Sequence, residues 1–547
     1  MRGRIVLPVT VLLAGVVVAA GEPARTETPV ATGSPITSVA ESQVRLEVPL
    51  PASVGPHPAE CDWLSYLRYR DANGPAASAD ADRILVAQPG ILEGAGAFDS
   101  VARNTVAAAA ARGEHIEFWA LDRRSNCLED HTGVQAGLAA RDPHVAVDYY
   151  YRGEPVDGRT FSGYVPNDRL GWLGHVGLEQ TVRDEYDLLV RELPDPAVRA
   201  RKVLCGGHSL GGVLTGFLAS WDFDGVPGYR QCAGYFALDS SISTSLASLS
   251  GMPSLGTDGL TYDVTQAGLA TGVLPRSLNL PVLINPETMA MLGVASLAAD
   301  VAPGGVSDLA SYIPSNVNLE TTFRLLFSRT ALNFATGVPS IRDFRITNAT
   351  ALGALLDDNS QPLAFLESSV GFFDGGPVAE KEFPVPADLR DSPVLAPLTG
   401  ALSQERLAIP TVPRGPLYTW RNYDAVGTGP FTAPGKEVTD LAELARSLAE
   451  QPLDFTEQYF PLKLVTDIQQ ASAPQIQQHV RYPSGVTAHP TINLLAGDGL
   501  VVPNGLPEHG ENVIAPGYQH LDVVTAAPVQ NDGAPEPVST ALARFAG

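Results

Sequence analysis

An α/β fold, with a mostly parallel sheet covered by helices on both faces, is what this 547-residue sequence predicts. Three observations point to it. Short apolar runs alternate with amphipathic ones from 44 to 241. The middle of the chain, 242–480, breaks that rhythm with Gly and Pro punctuation, and the alternation resumes over 481–547. Compact apolar runs bounded by turn residues read as buried strands, and strand-helix-strand order is the pattern of a parallel sheet buried on both sides. One sheet interrupted by a large, mainly helical cap accounts for the order better than several independent domains.

The elements follow in chain order. Residues 83–87 (RILVA) form a strand, then a turn (QPGILEG) and an Ala-rich helix over 99–112. A second strand covers 116–121 (IEFWAL). Over 179–193, Val182, Tyr186, Leu189, Val190 and Leu193 recur at three- and four-residue spacing, which predicts an amphipathic helix. A short strand at 203–206, a helix over 210–221 and a strand over 232–239 (CAGYFALD) complete the first part of the core. In the insertion, Val438, Leu441, Leu444, Ala445 and Leu448 form one stripe of a helix over 437–450. The second part has strands at 490–496 and 513–514 and a closing helix at 538–545.

The N-terminus carries an address. Arg2 and Arg4 precede an apolar run over 5–20 that ends in small residues, so 1–21 reads as a cleavable signal peptide and the protein as secreted. The run is too short, and too interrupted by Pro8 and Gly15, for a stable membrane anchor. Residues 22–43 are rich in Pro, Thr, Ser and Ala and read as a flexible leader. Export makes the four cysteines disulfide candidates. Cys61 and Cys127 lie in polar loops and are the favoured pair. Cys205 and Cys232, read as lying at opposite ends of neighbouring strands, are expected to stay too far apart to bridge.

Charge excludes one class of partner. With 36 basic and 60 acidic side chains, the net charge is −24, and Lys202, Lys381, Lys436 and Lys463 are the only lysines. Such a surface does not displace the counterions of a nucleic acid. Histidines and cysteines never recur at paired ligand spacings, so neither a metal nor another cofactor is expected. The glycines at 90, 94 and 96 lack the full spacing of a nucleotide fingerprint. The charged stretches 122–124 and 129–131 read as local ion pairs more readily than as substrate contacts.

The chemistry centres on Gly207-His208-Ser209-Leu210-Gly211, a G-x-S-x-G sequence between a strand and a helix. At such an elbow a sharp turn exposes the serine hydroxyl, and the glycines leave room where a Cβ would clash. A serine needs a base, and in the order serine, acid, histidine the candidates are His479, His489, His509 and His520. His520, in the loop PGYQHLDVV just before the final helical region, is the best placed. Asp498, after the strand PTINLLA, is the favoured acid, and Asp239, at the end of CAGYFALD, is the alternative.

These residues resemble the α/β-hydrolase superfamily, and within it the exported bacterial esterase- or lipase-like branch. The resemblance rests on QPG, GHSLGG, ASWDFDG (219–225), LAGDGLVVP and GYQHLD, and covers about 83–241 and 490–524. It implies an oxyanion hole made by the amides of Leu210 and Ile91. Two departures stand out: Pro89 replaces the usual histidine of the oxyanion turn, and Asp498 lies one residue earlier than the usual acid. The function implied is a secreted serine hydrolase cleaving small-molecule or lipid-like carboxylic esters. A peptidase or acyltransferase on the same fold, or an inert binding protein, is the alternative.

Overall fold

The computed structural model describes residues 24–249, 259–279, 284–385 and 401–547. The segment read as a signal peptide lies outside them. Among the described residues no helix is long and apolar enough to cross a membrane.

Nine strands form one sheet: β1 (Arg25–Pro29), β2 (Val39–Glu47), β3 (Trp63–Asp71), β4 (Ile84–Gln88), β5 (Glu117–Leu121), β6 (Val203–His208), β7 (Gly234–Leu238), β8 (Thr491–Ala496) and β9 (Glu511–Ala515). Their spatial order is β1-β2-β3-β5-β4-β6-β7-β8-β9. The first four in that order pair antiparallel, and from β5 to β9 every pair is parallel. The exchange of β4 and β5, followed by strictly sequential parallel strands, is the α/β-hydrolase topology.

Period-two alternation sorts the strand side chains onto two faces. Leu85, Phe118, Leu204, Phe236 and Leu494 pack under α1 (Asp99–Ala110) and the closing helix Pro537–Ala546. Val86, Trp119, Cys205, Tyr235 and Leu495 pack under α2 (Leu178–Glu192) and α3 (Leu210–Ser220). Each face therefore has its own core, and every residue of β4, β5, β6, β7 and β8 is buried.

Described residues of the stretch expected as a cap lie against loops at the C-terminal ends of the parallel strands, with Thr456 bridged to Glu93 after β4. Their helices include α4 (Pro286–Val301), α5 (Asn348–Leu356) and α6 (Leu441–Glu450). The insertion also carries a three-stranded sheet (Arg345–Ile346, Leu417–Asn422, Gly371–Asp374) and a two-stranded one.

Two expectations are corrected. The stretch expected as a flexible leader contains β1 and the start of β2, and β1 is held to β2 by a five-residue antiparallel ladder. All five β1 side chains are exposed, so no apolar pattern announced it. Cys205 and Cys232 form a disulfide, with Cα atoms 5.8 Å apart, beside the expected Cys61–Cys127 bridge at 5.1 Å. Cys232 does not begin β7. It lies in the turn ahead of it, where Ala233 N donates to Val203 O at 2.6 Å, so both sulfurs sit near the same ends of two parallel strands.

Candidate active site

The sequence GHSLG forms the expected elbow between β6 and α3. Ser209 has φ 53° and ψ −119°, a left-handed backbone that a side chain adopts only under strain. Its amide donates to Leu238 O at 3.0 Å, which fixes the turn against β7. A Cβ on Gly207 would stand 2.4 Å from Gln88 O, and one on Gly211 2.0 Å from the same atom, so only glycine permits the helix to start this close to β4. Ser209 is 1% exposed, and its Oγ accepts and donates no hydrogen bond among the described residues.

His520 sits in the loop after β9, against the elbow. Its carbonyl oxygen lies 3.0 Å from His208 Nε2, and the two imidazole centroids are 4.4 Å apart. His520 Nδ1 donates to Asp239 Oδ2 at 2.6 Å, and both groups are buried. Burial and the charge of His208 hold the His520 imidazole below its ordinary pKa, against the opposing pull of Asp239. His479, which stacks on Trp221, and His489, which meets Tyr229 O, lie elsewhere.

The carboxylate that meets His520 is Asp239, the alternative acid, and not the favoured Asp498. Leu238, the residue before Asp239, pairs with Leu494 in β8, so Asp239 emerges exactly where the neighbouring strand still runs. The turn after β8 then folds around it: Ala496 N and Leu500 N donate to Asp239 at 3.2 and 2.8 Å. Asp498, at the outside of that turn, is exposed, and its own amide donates to Tyr518 O. The LAGDGL sequence thus holds Asp239 in place rather than presenting its own aspartate to His520.

The loop after β4 faces the elbow. A Cβ on Gly90 would stand 3.0 Å from Ser209 Cβ. The Gly90 amide is already taken by Glu93 Oε2 at 2.6 Å, which leaves the next residue, Ile91, as the donor on this loop. Leu210, the first residue of α3, has an amide with no intrahelical acceptor. Both therefore suit the oxyanion roles expected of them.

Sequence reasoning missed what supports this loop. Glu93 Oε1 lies 2.6 Å from His208 Nδ1, both side chains being buried. Burial pushes the Glu93 carboxyl up and the His208 imidazole down, but their mutual attraction prevails: Glu93 lies below and His208 above its ordinary value. The guanidinium of Arg123, in a stretch read as a local ion pair, donates to the carbonyls of Pro89, Gly90 and Glu93 and pairs with Glu457 of the insertion. Residues 453–457 run alongside the loop, with Gly94 N on Phe455 O at 2.9 Å, Gly96 N on Asp454 O at 3.1 Å and Glu457 N on Leu92 O at 2.8 Å. A Cβ on Gly94 or Gly96 would come within 2.5 Å of a carbonyl oxygen of that segment. These glycines, too irregular for a nucleotide loop, allow the insertion to lie on the oxyanion loop.

Beside Ile91 and Leu521 opens an apolar cavity enclosing about 950 Å³, its mouth included. Residues of the insertion form most of its wall, Met289, Leu292, Phe323, Leu326 and Phe365 among them.

The fold and elbow together define a protein of the α/β-hydrolase fold. No family model and no curated protein matches the sequence. Among solved structures, the chain is similar to the peroxisomal α/β-hydrolase Lpx1 from Saccharomyces cerevisiae at 12% identity, covering 96% of this chain and 89% of that one with a TM-score of 0.31.

Proposed function

We propose that this protein is a secreted serine hydrolase acting on carboxylic esters with an apolar acyl chain. The observation that carries the reading is the buried His520–Asp239 pair, packed through His208 against the elbow that bears the strained Ser209. Ser209 Oγ attacks the ester carbonyl carbon while His520 Nε2 takes its proton. Asp239 keeps the proton on Nδ1 and stabilises the imidazolium that forms. The Ile91 and Leu210 amides receive the oxyanion, each contributing roughly 3 kcal/mol. His520 then protonates the departing alkoxide, leaving an acyl-Ser209 ester. A water deprotonated by His520 attacks that ester, releasing the acid and regenerating the serine.

The apolar cavity beside Ile91 favours the acyl side of an ester over a peptide, whose backbone would need polar partners there. The acidic net charge, −24, favours a neutral or emulsified ester over an anionic bilayer. The experiment is a panel of p-nitrophenyl acetate, decanoate and palmitate beside peptide anilides, run on wild type and Ser209→Ala. Turnover of esters that disappears in Ser209→Ala is expected. Anilide hydrolysis exceeding ester hydrolysis would replace the esterase reading with a peptidase.

A further inference from the structure

A second chemically loaded place lies in the insertion, away from Ser209. Asp357, Asp358 and Glu437 are 0, 1 and 1% exposed, and each offers a carboxylate oxygen within 4.8 Å of the other two. Their protein partners are few. Asp357 Oδ2 accepts from Asn359 N at 3.1 Å, the Val370 amide also supports the Asp357 carboxyl, and Asp358 Oδ2 accepts from Gln519 Nε2 at 3.4 Å. Glu437 accepts from Gly371 N at 2.6 Å and from the Thr432 hydroxyl. Lys436, the neighbouring cation, turns to Glu405 at 3.1 Å.

Oxygens of the two aspartates and of the neutral residues that follow them go without donors. Asp357 Oδ1, Asp358 Oδ1, Asn359 Oδ1 and Ser360 Oγ are all buried with no hydrogen-bond partner among the described residues. Asn359 is 0% exposed, and its Nδ2 donates to Phe431 O at 3.3 Å, one residue from the Thr432 that holds Glu437. The amide is therefore anchored on the Glu437 side of the cluster. Burying unpaired carboxylates together costs several kcal/mol each. Serving these atoms by protonation takes a separate proton on each aspartate; no single bound species other than a cation meets the carboxylates, the amide oxygen and the hydroxyl at once.

We infer that Asp357, Asp358 and Glu437, with Asn359 and Ser360 beside them, form a binding site for a divalent calcium-like cation. The donors are all hard oxygens and mix carboxylate with neutral groups, which suits calcium, with its six to eight flexible oxygen ligands, over zinc or copper. The site joins the turn after α5 to Glu437, ahead of α6, and, through Gln519, to the loop bearing His520. Its loading braces that loop without touching substrate. An oxygen-only set drawn from positions 357–360 and 437 has no His or Cys spacing to reveal it.

The test uses the full-length protein stripped with a chelator and exchanged into metal-free buffer. Calcium is titrated while thermal unfolding is followed and binding is measured by calorimetry; terbium luminescence excited through the aromatic residues gives an independent signal. Saturable uptake of one equivalent, with Tm rising by several degrees, is expected. Asp358→Asn and Asp357→Asn should each lose the calcium response, while Asp498→Asn keeps it. Should the cluster variants fail to fold, displacement of terbium by calcium in the wild type still decides. No uptake, an unchanged Tm, or a cluster variant that retains the full response would overturn the assignment. Magnesium binding as tightly as calcium would overturn the choice of cation.

Discussion

Replacing Asp239 by asparagine removes one charge from the buried pair and leaves its shape almost unchanged. Asp239 Oδ2 accepts from both His520 Nδ1 at 2.6 Å and Leu500 N at 2.8 Å, while Oδ1 accepts from Ala496 N at 3.2 Å. An amide nitrogen placed at either position meets a backbone donor. If it takes the Oδ2 position it also forces the wrong imidazole tautomer. If it takes the other, the hydrogen bond to His520 survives but the imidazolium forming in the transition state loses its counter-charge. Two unit charges about 4 Å apart attract by about 4 kcal/mol at an effective dielectric near 20, or about three powers of ten in rate. Adding the tautomer penalty, kcat/KM on p-nitrophenyl decanoate should fall by about 10³ to 10⁴-fold. Asp498→Asn, an exposed substitution, should stay within about twofold of wild type. Circular dichroism and Tm check that both variants fold. A large loss in Asp498→Asn with Asp239→Asn near wild type would refute the assignment of the acid.

Further outcomes follow from the same geometry. Because burial and His208 lower the His520 pKa, the neutral base persists below the ordinary histidine value, and kcat/KM should decline only on the acid side of about 6.5. Removing the His208 charge in His208→Gln should move that acid limb upward in a pH-rate profile, and an unmoved limb would discard the electrostatic role. Arg123→Ala frees three oxyanion-loop carbonyls and leaves Glu457 buried and unpaired, so kcat should drop by about 10-fold or more together with a lower Tm; unchanged values would mean that the strap is dispensable. Leu326→Trp should shorten the preferred acyl chain, raising KM for palmitate well above that for acetate, and equal changes for both would place the acyl chain elsewhere. Mass measurement before and after reduction should show four thiols released from two bridges.

Much of the core was legible because its signals are local. The strands 84–88, 117–121, 203–208, 234–238 and 491–496 are mostly apolar and wholly buried runs, and the elbow advertises itself through glycines that only a close strand-helix turn requires. Motif and chain order single out Ser209 and His520, and the fold brings the His520 loop against the elbow. What escaped depends on the partner across space. β1 is exposed and polar, held by its ladder to β2 rather than by burial. Asp239 and Asp498 end adjacent strands, and only the turn over 496–500 decides which faces His520. Cys232 reaches Cys205 because a 3-10 turn precedes β7. The strap from Arg123 to Glu457 joins residues 334 positions apart, beyond any periodicity.

The claim on which the account turns is that Ser209 is an activated nucleophile, and a fluorophosphonate probe tests it directly. Wild type, folded and near neutral pH, should form a single covalent adduct that peptide mapping places on Ser209, and Ser209→Ala should remain unlabelled with its Tm nearly unchanged. A folded wild type that takes no label, or a label that persists in Ser209→Ala, would contradict the account.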